Sequence, residues 1–433
     1  MDVLKKLKQE FDQAELLTLD TEELKISLEN WDLQDLSQEN LSRSSLRVIK
    51  DGQRGANTSF GKSDKVNEKL IKGAKESVRF GEKSYFDFSS SKVENKEDKQ
   101  NNNKGQEEIV DYLQEFLNFV KEKKSDFPLV VNFKQEWKEI TIKTTEKGDL
   151  FQTKSNYSLG FGAPIPGGGS MIYRMVESPE FFTELPEEEI ENFMEEYRLT
   201  EKVSVPETDS LPVVFSPRAL YFLFVSLQEG ISARNIFRKT SPLLDRLGDK
   251  IFSKKLTIID RPHMDKAGSR RAFDDEGIPT QKQKIVENGE LKTYIYDLEH
   301  AARMDAEPKG NGMKSAMFGS GIDTPVTPGL VNPVIEPGDK SKKEIIGSIE
   351  NGILVDGIVG FHSSNYHQGH FSVQAHGFHI KNGAIKGRLQ DVMIAGNIYE
   401  DFQRVEEIGN KLYPAYTGYT PYVLVDGIKV TGK

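Results

Sequence analysis

Residues 46–60 read Leu-Arg-Val-Ile-Lys-Asp-Gly-Gln-Arg-Gly-Ala-Asn-Thr-Ser-Phe. The stretch is a strand, a turn and a second strand, because Asp51-Gly52 supplies the positive φ angles that a tight hairpin needs. Three further Asx-Gly pairs stand between alternating segments of the second half: Asn288-Gly289, Asn382-Gly383 and Asp426-Gly427. Repeated short hairpins predict antiparallel sheet, and no βαβ rhythm or short-period repeat competes with that reading.

On the N-terminal side of the hairpin, Leu4, Leu7, Phe11 and Ala14 fall at helical spacing, and strand-like polar alternation follows. On its C-terminal side, Ser63 opens a helix with Val66, Leu70, Ala74 and Val78 as its apolar stripe. Residues 89–106, SSSKVENKEDKQNNNKGQ, hold one large apolar side chain. Such a segment buries too little surface to offset ordering entropy, so a mobile linker or insertion is expected there. A helix is expected over 107–123, then a hairpin over 138–156 around Glu146-Lys147-Gly148-Asp149. The glycines and prolines of 160–169 predict a loop or bulge, and 186–197 an acidic helix. Residues 204–210 read as a connector, which divides the chain into domains 1–203 and 204–433. Leu211–Phe215 reads as a short strand, and Ser216-Pro217 as the N-cap and first residue of a helix to about Gln228, apolar nearly all round and therefore buried. The expected fold class is α+β: an N-terminal α/β-mixed domain and a C-terminal antiparallel, sheet-rich domain with a buried helix.

The chain has 433 residues, which suits two or three domains at about 150 residues each. It carries 58 Lys+Arg against 68 Asp+Glu, a formal charge of −10, which opposes bulk electrostatic binding of nucleic acid. Cysteine is absent, so a disulfide scaffold, a thiolate zinc site, an iron–sulfur cluster and a cysteine nucleophile are excluded. No run of about 18 apolar residues predicts a spanning helix, and Met1–Lys6 has no apolar signal region, so the cytoplasm is the expected compartment.

Two clusters could carry chemistry. Five of the seven histidines, His362, His367, His370, His376 and His379, lie within 18 residues of one another. Imidazole is a common metal ligand, although no Asp or Glu lies in that segment and a polar strand is the plainer reading. Asp274-Asp275-Glu276 sets three carboxylates side by side; they repel one another, so a cation, backbone donors or catalysis would be expected to hold them, and an exposed turn is the plain alternative. Gly167-Gly168-Gly169-Ser170 lacks the Lys-Ser/Thr of a phosphate loop, and neither a Gly-x-Ser-x-Gly elbow nor a His-Glu-x-x-His sequence occurs.

Several stretches of the second half follow a familiar order: Val213-Val214-Phe215-Ser216-Pro217-Arg218-Ala219, Ser241-Pro242-Leu243 with Leu247-Gly248, Leu256–Pro262, Phe273-Asp274-Asp275-Glu276-Gly277-Ile278-Pro279-Thr280, Ile285–Leu291 and Ile394-Ala395-Gly396-Asn397. In order and spacing this set resembles the C-terminal domain of the TldD/PmbA proteins, called modulators of DNA gyrase and grouped as metallopeptidases. Leu46–Gly55 and the helix after it also resemble the family pattern. In the TldD branch a helix carries His-Glu-x-x-x-His and a later cysteine completes a zinc site. Counted back from Ser241, those positions fall at Phe224-Val225-Ser226-Leu227-Gln228-Glu229 here, so the family's metal and catalytic residues do not carry over. The chain looks like the PmbA (TldE) branch. The resemblance implies a subunit without its own cofactor that pairs, as a dimer, with a zinc-bearing TldD-type metallopeptidase and helps degrade unfolded or short peptides. Composition and charge predict no membrane span and no direct nucleic-acid contact. An extended peptide would bind by strand addition, with Asp274, Asp275, Glu276, Gly369, His370 and Phe371 as candidate groove residues. The rival readings are a peptidase with its own metal site built from His362–His379, with or without Asp274–Glu276, and a stand-alone peptide-binding or regulatory protein.

Overall fold

The computed structural model describes residues 3–95, 103–123, 127–166, 171–316, 319–416 and 418–433. After helix α1 (Val3–Glu10), strands β1 (Gln13–Glu29), β2 (Asp32–Lys50) and β3 (Gln53–Phe60) form an antiparallel meander. Asp51 and Gly52 turn β2 into β3 with φ of +50° and +72°, as the sequence predicts. The β1–β2 turn carried no such signal: Asn30 (φ +49°) and Trp31 (φ +74°) make it. Tryptophan is held in this rare conformation from outside. Its indole N–H donates to the Phe127 carbonyl at 3.1 Å, and its ring meets Phe127 edge-on at 5.6 Å.

Strands β4 (Lys92–Asn95), β5 (Val130–Thr144), β6 (Asp149–Pro164) and β7 (Met171–Ser178) complete the first sheet, in the order β3-β2-β1-β5-β6-β4 with β7 also on β6. β3 pairs only with residues 43–50 of β2. Among the described residues, the outer edge of β2 over 32–42 therefore has no strand beside it. Helix α2 (Asp64–Val78) is capped by Ser63, whose Oγ accepts from the Val66 N–H. It lays Leu70, Ile71, Ala74 and Val78 on Leu46 and Val48. Gly55 on β3 permits that approach, since a Cβ there would stand 2.6 Å from the Ala74 carbonyl.

The second half is built on a sheet of β8 (Asp209–Phe215), β9 (Asn351–Val359), β10 (His370–Lys381), β11 (Ala384–Arg388), β12 (Val392–Asn397), β13 (Val405–Ile408) and β14 (Val423–Thr431). The order is β9-β8-β14-β12-β10-β11, and β9 also pairs with β10. Val213, Phe215, Ile353, Val355, Val423 and Val425 enter a core around helix α5 (Tyr221–Ile231). The intervening Val214, Leu354 and Leu424 enter another with α3 (Gln106–Lys123) and α4 (Glu187–Leu199) of the first half. A sheet covered on both faces needs continuous apolar strands, and Leu211–Phe215 reads that way. The core thus passes across the connector near residue 205. The fold is α+β and sheet-rich.

Four sequence expectations are corrected. The linker expected over 89–106 is tied down at its start: the buried Ser89 donates to the Gly277 carbonyl at 2.7 Å, and Lys92–Asn95 pairs in parallel with β6. Gln106 already begins α3, and residues 96–102 lie outside the described residues. Gly160–Ala163 is regular strand between β5 and β7, not a loop, while 167–170 lie outside the described residues. Ser216 Oγ accepts from the Ala219 N–H at 3.3 Å, yet the α-helix starts at Tyr221, after a turn. Asp426-Gly427 is no hairpin turn but a bulge inside β14, where the register against β8 shifts between Val425 and Ile428.

Candidate functional site

Phe224–Glu229, the residues that the count from Ser241 sets at the metal-helix positions, lie in helix α5. Phe224, 1% exposed, is packed into the core, and its neighbours Phe222 and Leu223 are buried with it. The Ser226 carbonyl accepts from the Tyr399 hydroxyl at 3.2 Å, and Gln228 Oε1 accepts from the Leu330 N–H at 2.9 Å. Glu229 Oε2 accepts from Asn235 Nδ2 at 2.8 Å and lies 3.1 Å from His367 Nδ1. The Ser226 carbonyl, Gln228 Oε1 and Glu229 Oε2 are thus employed in holding neighbouring segments, while the buried Ser226 hydroxyl has no partner among the described residues. Zinc does not fit this donor set.

The histidine segment does not converge either. His362, His367 and His370 are exposed. His379 is buried between Ser204 Oγ (2.8 Å) and Asn351 Oδ1 (3.0 Å). His376 is half-buried; burial and then the Arg218 charge hold it below the ordinary imidazole value. Among the described residues no three His, Cys, Asp or Glu side chains are placed to hold one ion, so the rival reading of a His362–His379 metal site finds no support in the geometry.

The acidic turn is buried, not an exposed loop. Asp274 Oδ1 accepts from the N–H groups of Glu276 and Ile278, both at 2.9 Å, and Oδ2 accepts from Gly312 N–H at 2.7 Å. Asp275 accepts from Arg271 at 2.6 Å and from the Lys314 N–H at 2.7 Å. Glu276 accepts from Leu298 N–H at 2.6 Å and from Arg47 Nη1 at 2.6 Å. Arg47, from β2, also makes a two-pronged pair with the buried Glu15 at 2.8 and 2.9 Å. One guanidinium therefore joins the two halves of the chain. Burial pushes Asp274 up, helped by the Glu276 charge, and pushes Glu276 to about 7 against the pull of Arg47. Burial opposes ionisation of Asp275 as well, but Arg271 keeps it below the usual carboxylate value.

Two cavities lie where the halves meet. One, of about 730 Å³, is lined by Arg47, Arg54, Phe88, Glu276, Glu299 and Lys314, among others. The other, of about 430 Å³, lies under the first sheet and takes in Lys138, Lys154, Arg271, Asp275 and Lys314. Lys154 is buried; burial, with Lys138 and Arg271 beside it, lowers its ammonium to about 7. The sequence reading missed Arg47, Lys154 and Lys314. For Lys154 a signal existed: the 138–156 hairpin places it directly opposite Lys138, a repulsive pair that a fold keeps for a reason.

Gly369, His370 and Phe371 sit elsewhere. Gly369 (φ +79°) packs on Tyr399, where a Cβ would lie 2.7 Å from the ring. Phe371 is buried with its ring 5.1 Å from Phe222. His370 and Phe371 border a hollow of about 650 Å³ with Asn397, Glu400, Asp401 and Arg404. The acidic turn thus lines the cavities between the halves, and the 369–371 stretch does not join it there.

A family model described as the PmbA/TldA metallopeptidase C-terminal domain matches residues 208–432, more than half of the chain. An uncharacterized protein of Methanocaldococcus jannaschii is 34% identical over 214 residues, 47% of this chain and 48% of that protein. The metalloprotease PmbA homolog of Buchnera aphidicola is 28% identical over 219 residues, 51% of this chain and 46% of that protein. The chain matches about half the length of these curated relatives. Over its whole length it superposes on TldE from Thermococcus kodakarensis with a TM-score of 0.86 and 25% identity, covering 100% of this chain and 99% of that one. By the family match over its second half and the agreement of fold over its whole length, the chain belongs to the PmbA/TldD metallopeptidase family.

Proposed function

We propose that this chain is a PmbA/TldE-type subunit that works with a TldD-type metallopeptidase partner in degrading unfolded or short peptides, the partner supplying the zinc. The observation that carries the reading is the state of α5. Where a metal helix would present two histidines and a glutamate, this helix presents Phe224, Val225 and Glu229, with Phe224 sunk in the core and Glu229 bonded to Asn235. The likeness to TldE supports the same branch. The open outer edge of β2 offers unpaired backbone groups to which an extended segment could add, a sequence-tolerant mode of binding.

The test is a peptidase assay on unfolded casein with the pure chain, with a TldD-type protein of the same genome, and with both. Activity is expected only in the mixture and is lost on chelation. Chelator-insensitive cleavage by the pure chain would overturn the reading. So would about one tightly held zinc per chain that disappears on His370→Ala and His376→Ala substitution.

A further inference from the structure

One face of the first sheet carries two charge rows side by side. Glu39, Glu23 and Glu136 are direct cross-strand neighbours on β2, β1 and β5. Two residues along, Leu41, Thr21, Lys138 and Lys154 form the next row, which extends onto β6. Both rows line the cavity of about 430 Å³, which Arg271, Asp275, Lys314 and Ile322 of the second half close from the other side.

The two rows are neutralised unequally. Lys134 bridges Glu23 and Glu136 at 2.7 Å to each, Lys25 pairs with Glu23, and Lys138 pairs with Glu136 at 2.7 Å. At the basic end Lys138 is paired with Glu136 and Arg271 with Asp275 at 2.6 Å, but Lys154 and Lys314 have no such partner. Lys154, 8% exposed, donates only to the carbonyls of Gly268 (3.2 Å) and Arg270 (3.3 Å), and Lys314, 9% exposed, only to that of Thr324 (3.1 Å). Among the described residues neither ammonium forms an ion pair. Among the described residues the Nε groups of Arg43 and Arg271, which line the same cavity, have no acceptor. Keeping such buried lysines protonated without a counter-charge is costly, and here they come from both halves and face one space. An anionic group arriving from outside would satisfy them. A multiply charged phosphate would meet the carboxylate row within about 7 Å, two residues along the strands. A carboxylate on a chain whose other end is an ammonium suits both rows. From Glu39 to Lys154 is three strand spacings of about 4.8 Å, close to an extended tri- or tetrapeptide at about 3.4 Å per residue. Leu19, Leu41, Ile140 and Ile322 supply an apolar lining for small side chains.

We propose that this cavity binds a short peptide with free termini, its C-terminal carboxylate between Lys154, Lys314 and Arg271 and its ammonium towards Glu39. The biological sense of such a site rests on the peptide-degrading reading above, but its occupancy is measured on the full chain without a partner.

The experiment is titration calorimetry with tetra-alanine, its C-terminal amide, its N-acetyl form and inorganic phosphate. Tetra-alanine is expected to bind. Amidation, Lys154→Met and Lys314→Met should each weaken binding at least tenfold, and N-acetylation or Glu39→Gln about threefold. No binding of tetra-alanine at millimolar concentration, indifference to amidation, or phosphate bound as tightly as the peptide would overturn the proposal. If a lysine variant does not fold, the four ligands on the unaltered chain still decide it. Failure here with normal activity of the mixed subunits would leave the functional reading standing. Binding without activity in the mixture would do the reverse.

Discussion

Lys154 shows what one side chain costs when the fold surrounds it. Its ammonium is lowered to about 7 by burial and by the neighbouring Lys138 and Arg271, against 10.5 for the free group. Glu136 pulls the other way, and Arg270 adds to the repulsion. Above pH 7 the folded chain has released this proton while the unfolded chain still holds it, so this residue's contribution to stability rises with pH up to about 10.5. Below pH 7 both states are protonated and the folded state bears the buried charge in full. Lys154→Met removes that burden along with two hydrogen bonds to carbonyls. The variant is therefore expected to gain roughly 1–3 kcal/mol more on the parent at pH 6 than at pH 10. Urea unfolding at the two pH values measures this, and an equal difference at both would refute it. The Lys138–Lys154 pairing marks the position as constrained, but residues 138–156 alone do not tell that Lys154 is buried, because the carbonyls it donates to, those of Gly268 and Arg270, lie more than a hundred positions away. Which cation would hold the acidic turn was hidden for the same cause: its charge partner Arg47 is 229 positions from Glu276.

Elements whose geometry is set by their own residues were legible. Ser63 caps α2, and Asp51-Gly52, Asn288-Gly289 and Asn382-Gly383 adopt the positive φ that their side chains tolerate. Elements decided by neighbours were not. Gly160–Ala163 has the composition of a loop, yet β5 and β7 on either side make it strand. Lys92–Asn95 is polar, yet β6 gives it a partner. Asp426-Gly427 has a hairpin's sequence, but β8 runs past it and turns it into a bulge. The α2–β3 contact separates local from neighbour-imposed effects within eight residues. Gly52 needs its positive φ but has nothing within 4 Å of a Cβ, whereas Gly55 faces the Ala74 carbonyl and Val78 at 2.6 Å. Gly52→Ala should cost about 1 kcal/mol, the strain of the left-handed conformation. Gly55→Ala should cost roughly 2–3 kcal/mol, because backbone of both elements must shift. Thermal unfolding of the two variants checks the order, and a reversed order would show that α2 is not held at that distance.

At the scale of the molecule, the halves meet through a shared apolar core, the Arg47 bridge and two charged cavities. No helix among the described residues is long and apolar enough to cross a membrane. The family and the α+β class were legible because they rest on ordered motifs and local turns, while the meeting of the halves depends on long-range pairs. The uncovered margin of β2 has a further consequence. Over 32–42 it exposes Leu33 (59%) and Leu36 (40%) with Asp32, Asp35 and Glu39 but no lysine or arginine. If two copies paired there antiparallel about Ser37, Asp35 of each would face Glu39 of the other, and like charges directly opposite repel. Asp32→Asn with Asp35→Asn should therefore give larger species at raised concentration in light scattering, and an added Leu36→Lys should abolish them; unchanged scattering would show that charge does not guard this margin. On that expectation the carboxylates are a filter on company, set against a second copy of the same chain and open to a strand that brings its own cations.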